Sequence, residues 1–120
     1  METLSIILVA LLAIEHLYIL ILQMFLWEKS RTQKVFGIKK EDVKKTKMMA
    51  ANQGLYNGFL SAGLCWGLLH PDSAMGYQIQ MYFVFCILLA AVYGAFTVKK
   101  SILLVQGLPA LFAFIILMLV

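Results

Sequence analysis

The stretch TLSIILVALLAIEHLYILILQMFLW, Thr3 to Trp27, decides the fold. It is one continuous apolar run, broken near its middle by Glu15 and His16. About 20 such residues in an α-helix cross the roughly 30 Å of hydrocarbon in a bilayer. The run is far longer than the apolar part of a signal peptide. It is preceded by Met1-Glu2 rather than by a basic segment, so it reads as a retained transmembrane helix. Three further runs follow, at about 48–69, 77–98 and 101–120. Their apolar residues are continuous rather than alternating. Helices and closed barrels alone satisfy their backbones in lipid, and the pattern selects helices.

Composition agrees. Hydrophobic residues make up 62% of the 120-residue chain and charged residues 13%, whereas soluble domains average roughly 45–50% and about 25%. So small a chain has too little interior to hide that apolar surface from water. Disorder is excluded by the same figures. The expectation is an all-α integral membrane protein, a four-helix bundle forming a single domain over residues 1–120, with the lipid bilayer as its main partner.

The charges orient the bundle. Eight basic residues, from Lys29 to Lys47, lie between the first two runs, and Lys99 and Lys100 lie between the last two. All ten therefore fall on one side of a four-span arrangement. The positive-inside rule places that side in the cytoplasm, both termini outside, and the chain in an inner membrane as a multi-pass protein. The net charge of +4 thus reflects topology, and no nucleic-acid partner is expected. Residues 28–47 carry eight basic and three acidic side chains. They have a functional reading, a site for anionic lipid or a partner protein, and a structural one, orientation and solvation. Glu41-Asp42-Val43-Lys44-Lys45 is expected to start the second helix below the membrane, acidic residues suiting its N-terminal end. Trp27 and Tyr77 stand where interfacial anchors stand.

Polar groups inside the apolar runs are the functional signal. Glu15 lies mid-span, where a charge costs roughly 2.5–3.5 kcal/mol on insertion scales and usually faces a cavity or a partner. It is a candidate proton carrier or acid–base group, and its structural alternative is a hydrogen bond to another helix. His16 is about 100° around the helix from it. In the second run Gln53, Asn57 and Ser61 form one stripe, with Asn52 and Tyr56 beside it. Carboxamides need partners in hydrocarbon, either a ligand or a neighbouring helix. Gly54, Gly58 and Ala62, like Gly63 and Gly67, are spaced for close helix approach. Pro109 should kink the last run. Aligning the spans by depth predicts a polar pocket of Glu15, Tyr18, Gln53, Asn57 and Tyr93, with His16 at its edge and Gln23 near Gln53 and Asn52. No nucleotide-binding glycine loop, metal-ligand set, cofactor motif or nucleophile triad is present in the sequence, and no catalytic residue is assigned.

The string Asn52-Gln53-Gly54-Leu55-Tyr56-Asn57-Gly58-Phe59, with Glu15-His16 and Met24-Phe25-Leu26-Trp27, resembles the bacterial membrane family called domain of unknown function 1304. That resemblance implies a small four-span protein and no particular activity. Four spans and a central glutamate in the first also make the chain similar in architecture to small multidrug resistance transporters. There the glutamate exchanges protons for a cationic drug, a role that would fall to Glu15. A basic first loop, Asn52, Tyr93 and Lys100-Ser101 are similar to the membrane-associated proteins of eicosanoid and glutathione metabolism, which form trimers. Met48, Met49 and Leu55 stand where that family's glutathione-holding residues would be.

Three functions fit these features. The first is binding or transport of a small amphipathic or cationic solute, with Glu15 as the coupling carboxylate. The second is a lipid-phase enzyme using Glu15 and His16 as acid and base. The third is a structural or accessory protein. Small-residue and polar stripes on several faces lead us to expect a homo-oligomer, a dimer or a trimer.

Overall fold

The computed structural model describes residues 2–120, and they are all-α. Helix α1 spans Glu2–Met24, α2 Ser30–Phe36, α3 Val43–Leu69, α4 Ser73–Thr97 and α5 Leu108–Leu119. A single 3-10 turn, Lys40–Asp42, leads into α3, and a π-helical segment, Leu103–Gly107, leads into α5. Two of these helices are long and apolar enough to cross a membrane, α1 with 23 residues and α4 with 25. Helix α3 is longer, at 27 residues, but Lys44, Lys45 and Lys47 and then Asn52, Gln53 and Asn57 dilute its apolar character. The stretch Leu103–Leu119 is apolar but shorter. Length and apolar content together thus single out two helices, where the sequence pattern led us to expect four spans.

The described residues pack as two units. The first comprises the stretch up to Ala13 and Ala62–Val120. Here Pro71 breaks the chain and Asp72 restarts it as an N-cap. Its Oδ1 accepts from the backbone N–H of Ala74 and Met75, at 2.9 and 3.2 Å, satisfying two of the four donors that open α4. Gly67 of α3 and Gly76 of α4 let these helices touch at the backbone: a Cβ on Gly76 would lie 2.5 Å from the Gly67 carbonyl oxygen. Gly63 meets the Phe83 ring in the same way. Tyr77 donates to the Leu117 carbonyl at 2.8 Å, tying the start of α4 to the end of α5.

Pro109 is accommodated by a local change of helix type. The turn before it widens, with the Leu108 N–H donating to the Leu103 carbonyl five residues back. Proline removes one donor and its ring crowds the preceding turn, and one π turn absorbs both defects. Gly107 is buried there, and a Cβ added to it would stand 3.6 Å from the Ala91 Cβ.

The second unit, Ile14–Ser61, pairs the lower half of α1 with the first half of α3, antiparallel. The pairing depends on Gly54, where a Cβ would come within 2.7 Å of Met24 Cγ and 3.0 Å of Gln23 Cβ. Between the two helices the chain is not a simple loop. Trp27 is 6% exposed and packs with Val43, Ala50, Phe36 and Ile38. Its ring centroid lies 5.3 Å from that of Phe36, and its Nε1 donates to Thr46 Oγ1 at 3.1 Å. Thr46 in turn donates to the Asp42 carbonyl at 2.7 Å. Gly37, at φ 66°, ends α2 in the left-handed region that only glycine enters without strain, and so turns the chain back toward α3. Trp27 is therefore the core of a small folded clip rather than an exposed anchor at the end of a helix.

Candidate functional site

Helix α1 buries one face. Val9, Leu12, Ala13, His16, Ile19, Leu22 and Gln23 are all buried, at the three- and four-residue spacings of a helical stripe. Two of them are polar: His16, 1% exposed, and Gln23, 6% exposed. Glu15 stands beside this stripe and is half-buried. Its Oε1 is buried and has no hydrogen-bond partner among the described residues. Tyr18, one turn on, is 50% exposed.

About eight residues beyond Glu15, or roughly 12 Å along the helix at 1.5 Å per residue, Gln23 gathers the carboxamides of α3. Asn57 Nδ2 donates to Gln23 Oε1 at 2.8 Å and to the Gln53 carbonyl at 3.1 Å. Gln23 Nε2 donates to Gln53 Oε1 at 3.4 Å. Asn52, on the neighbouring stripe, is exposed.

Gln53 and Asn57 come together, joined by Gln23. Glu15 and His16 lie further along the same helix. Tyr93 belongs to the other unit, where it is 72% exposed on α4 and its carbonyl accepts from Thr97 Oγ1 at 2.8 Å. Gln23 is the organising residue. Its signal in the sequence was its depth level with Gln53, since nothing in its immediate neighbours marks it.

Two further features carry polar chemistry. In the first unit a cavity of about 250 Å³ is lined by Glu2, Ser5, His70, Tyr77 and Gln80 among others. Gln80 donates there to the Gly67 carbonyl at 3.1 Å, and the His70 ring bonds the Asp72 backbone at 3.0 Å. In the second unit, Lys47 Nζ meets Glu28 Oε1 at 2.6 Å. That hydrogen bond and charge, with Lys44 adding to the field, hold the Glu28 carboxyl below its usual range. Among the described residues no cluster of three or more His, Cys, Asp or Glu side chains is arranged to hold a metal ion.

Residues 10–118 match the family described as Protein of unknown function (DUF1304). The chain is 34% identical over 117 residues to Uncharacterized protein YpaA of Lactococcus lactis subsp. lactis (strain IL1403), covering 96% of this chain and 97% of that protein. No solved structure gives a significant match.

Proposed function

The chain belongs to the DUF1304 family, and we propose that it is a small multi-pass inner-membrane protein that binds, and in one mode transports, a cationic or amphipathic solute at Glu15. In this reading the polypeptide crosses four times, with both termini outside and the lysine-rich segments in the cytoplasm. The runs Glu2–Met24 and Ser73–Thr97 are the two strongest spans. Helix α3 and the Leu103–Leu119 stretch complete the bundle, and the asymmetry of all ten basic residues supports the orientation.

One observation carries the assignment: the buried Oε1 of Glu15, without a hydrogen-bond partner among the described residues, near the middle of α1. A buried polar atom with no hydrogen bond costs free energy. Carboxylates at such depth face a cavity, a partner or a transported ion by default. A carboxyl whose second oxygen lacks a donor accepts an ammonium or other cationic group well. The carboxamides of Gln23, Gln53 and Asn57 add polar groups toward one end of the same unit. A second copy of the chain would cover polar edges elsewhere that remain exposed.

The test uses the detergent-purified protein and tetraphenylphosphonium, a lipophilic cation, in equilibrium dialysis. Wild type should bind it saturably, and Glu15→Gln should bind at least about tenfold more weakly while melting at the same temperature. Equal binding by both proteins, or none by wild type, refutes the site. Reporter fusions at the His70-Pro71 and Lys99-Lys100 turns test the topology, which requires the first outside and the second inside.

A further inference from the structure

Helix α3 begins with two parallel stripes of unusual content. Lys44, Met48 and Asn52 follow one another at four-residue spacing, and so do Lys45, Met49 and Gln53. Each stripe thus runs from a cation to an apolar thioether to a carboxamide, at about 6 Å per step. Met48 and Met49 are 85% and 66% exposed. With Asn52 and Gln53 they line an open groove of about 310 Å³. The cations beyond its end are poorly neutralised. Lys45 pairs with Asp42 at 3.0 Å, but among the described residues no carboxylate lies within ion-pair distance of Lys44, Lys29, Arg31, Lys34, Lys39 or Lys40.

The geometry points to this groove as a binding site for one anionic phospholipid. Its phosphate would sit at the Lys44–Lys45 turn, and its glycerol, its esters and the first methylenes of its acyl chains would lie one turn on along Met48 and Met49, with Asn52 and Gln53 at the groove's far end.

Orientation in the membrane accounts for positive charge in this segment, but not for its folding. Trp27, Phe36, Ile38, Val43 and Ala50 close a buried cluster, and the Lys47–Glu28 pair closes its outer side. The clip fixes the first turns of α3, so the lysines are held rather than trailing. Within the clip, the outer face of α2 presents Arg31 and Lys34 beside Val35, all exposed. This is the mixed basic and apolar surface that settles at the headgroup boundary. An amphiphile matches it better than a soluble anion, because only an amphiphile uses the methionines as well as the lysines. Charge complementarity selects an anionic headgroup over a zwitterionic one. The assignment rests on the membrane insertion proposed above, and it is independent of any ligand at Glu15.

The experiment is native mass spectrometry of the detergent-purified full chain, with equimolar phosphatidylglycerol and phosphatidylcholine of matched acyl chains. Wild type should retain phosphatidylglycerol preferentially. Each cation removed should reduce that retention about fivefold, so Lys44→Gln/Lys45→Gln should erase the preference. Met48→Gln/Met49→Gln should weaken both lipids together. All four positions are exposed, so these variants should fold and melt like wild type. Equal retention of the two lipids by wild type overturns the site, as does an unchanged preference in the lysine variant. Competition by glycerol 3-phosphate at the same concentration would mean that a free phosphate is bound, and would overturn the lipid assignment too. Glu15→Gln should leave lipid retention intact. A protein that does not fractionate with membranes removes the reading of both sites, whereas one that retains both lipids equally removes only this one.

Discussion

Replacing Trp27 with alanine should open the clip between α1 and α3 while leaving the long helices formed. The ring is 6% exposed, tilted against Phe36 and packed with Ile38, Val43 and Ala50. Removing a buried aromatic side chain of this kind costs about 3–5 kcal/mol. Loss of its N–H bond to Thr46 is included in that cost, since donor and ring leave together. The clip is small and excludes little other apolar surface, so most of the loss should appear as local opening. A penalty of 3 kcal/mol raises an opening equilibrium about 150-fold at 25 °C, and the clip's own stability caps the effect. Hydrogen exchange read by mass spectrometry on the purified protein should show amides in 28–47 exchanging about a hundredfold faster, with amides of α4 unchanged. Thr46→Val supplies the finer control: it keeps the ring but leaves the indole N–H buried without an acceptor, at a cost of about 1–3 kcal/mol. If Trp27→Ala leaves exchange in 28–47 unaltered, the indole is not a core residue, and its role as a plain interfacial anchor would be restored. Fluorescence gives an orthogonal check. In a Trp66→Phe background, Trp27 emission should resist quenching by brominated lipid, whereas Trp66, 59% exposed, should be quenched readily in a Trp27→Phe background.

Gly54→Val should destabilise the second unit by about 1–3 kcal/mol through overpacking, because its Cβ would meet Met24 Cγ at 2.7 Å; thermal melting in detergent reads this directly. Gln23→Leu removes the hub of two carboxamide contacts and should cost about 0.6–1.7 kcal/mol, while Asn57→Leu alone should cost no more; a double-mutant cycle that found the two effects additive would refute the coupling. Glu28 is held below its ordinary value of 4.5 by Lys47, so its contribution is fully present above that value and is lost as pH falls through the lowered one. Exchange in 28–47 should therefore quicken on acidification in wild type and not in Glu28→Gln, after correction for the intrinsic pH dependence of exchange. Pro109→Ala restores a backbone donor, so the π turn at Leu103–Gly107 should revert to α-helical bonding, visible as newly protected amides after Leu108 in hydrogen-exchange NMR.

The helical class, the most apolar segments and the two closely packing glycine stripes were all legible in the chain itself. Each depends on local rules: a long apolar run needs a helix in lipid, and small residues every four positions let backbones meet. The start of α3 near Glu41–Asp42 could be read for the same reason, from the preference of acidic side chains for a helix N-terminus. The partners of the polar residues could be read only in part, Gln23 being placed near Gln53 by matching depth. Gln53 and Asn57 were candidates by their stripe, but a stripe states a direction and not what stands opposite it. Only the pairing of α1 with α3 at Gly54 brings Gln23 within hydrogen-bond distance of both. Trp27 shows the same limit. At the end of an apolar run, a tryptophan reads as an interfacial anchor until the chain beyond it folds back, and that return depends on one left-handed glycine, Gly37, and on contacts with Val43 and Ala50 further along the chain. Pro109 announced a disturbed helix, but the form the disturbance takes, a widened turn with Gly107 buried near Ala91, could not be read from the proline alone. Local pattern thus determined which segments are helices and which of their faces are polar. Tertiary packing decided which polar groups meet, because hydrogen bonds and close contacts between distant residues depend on a register that no local rule sets.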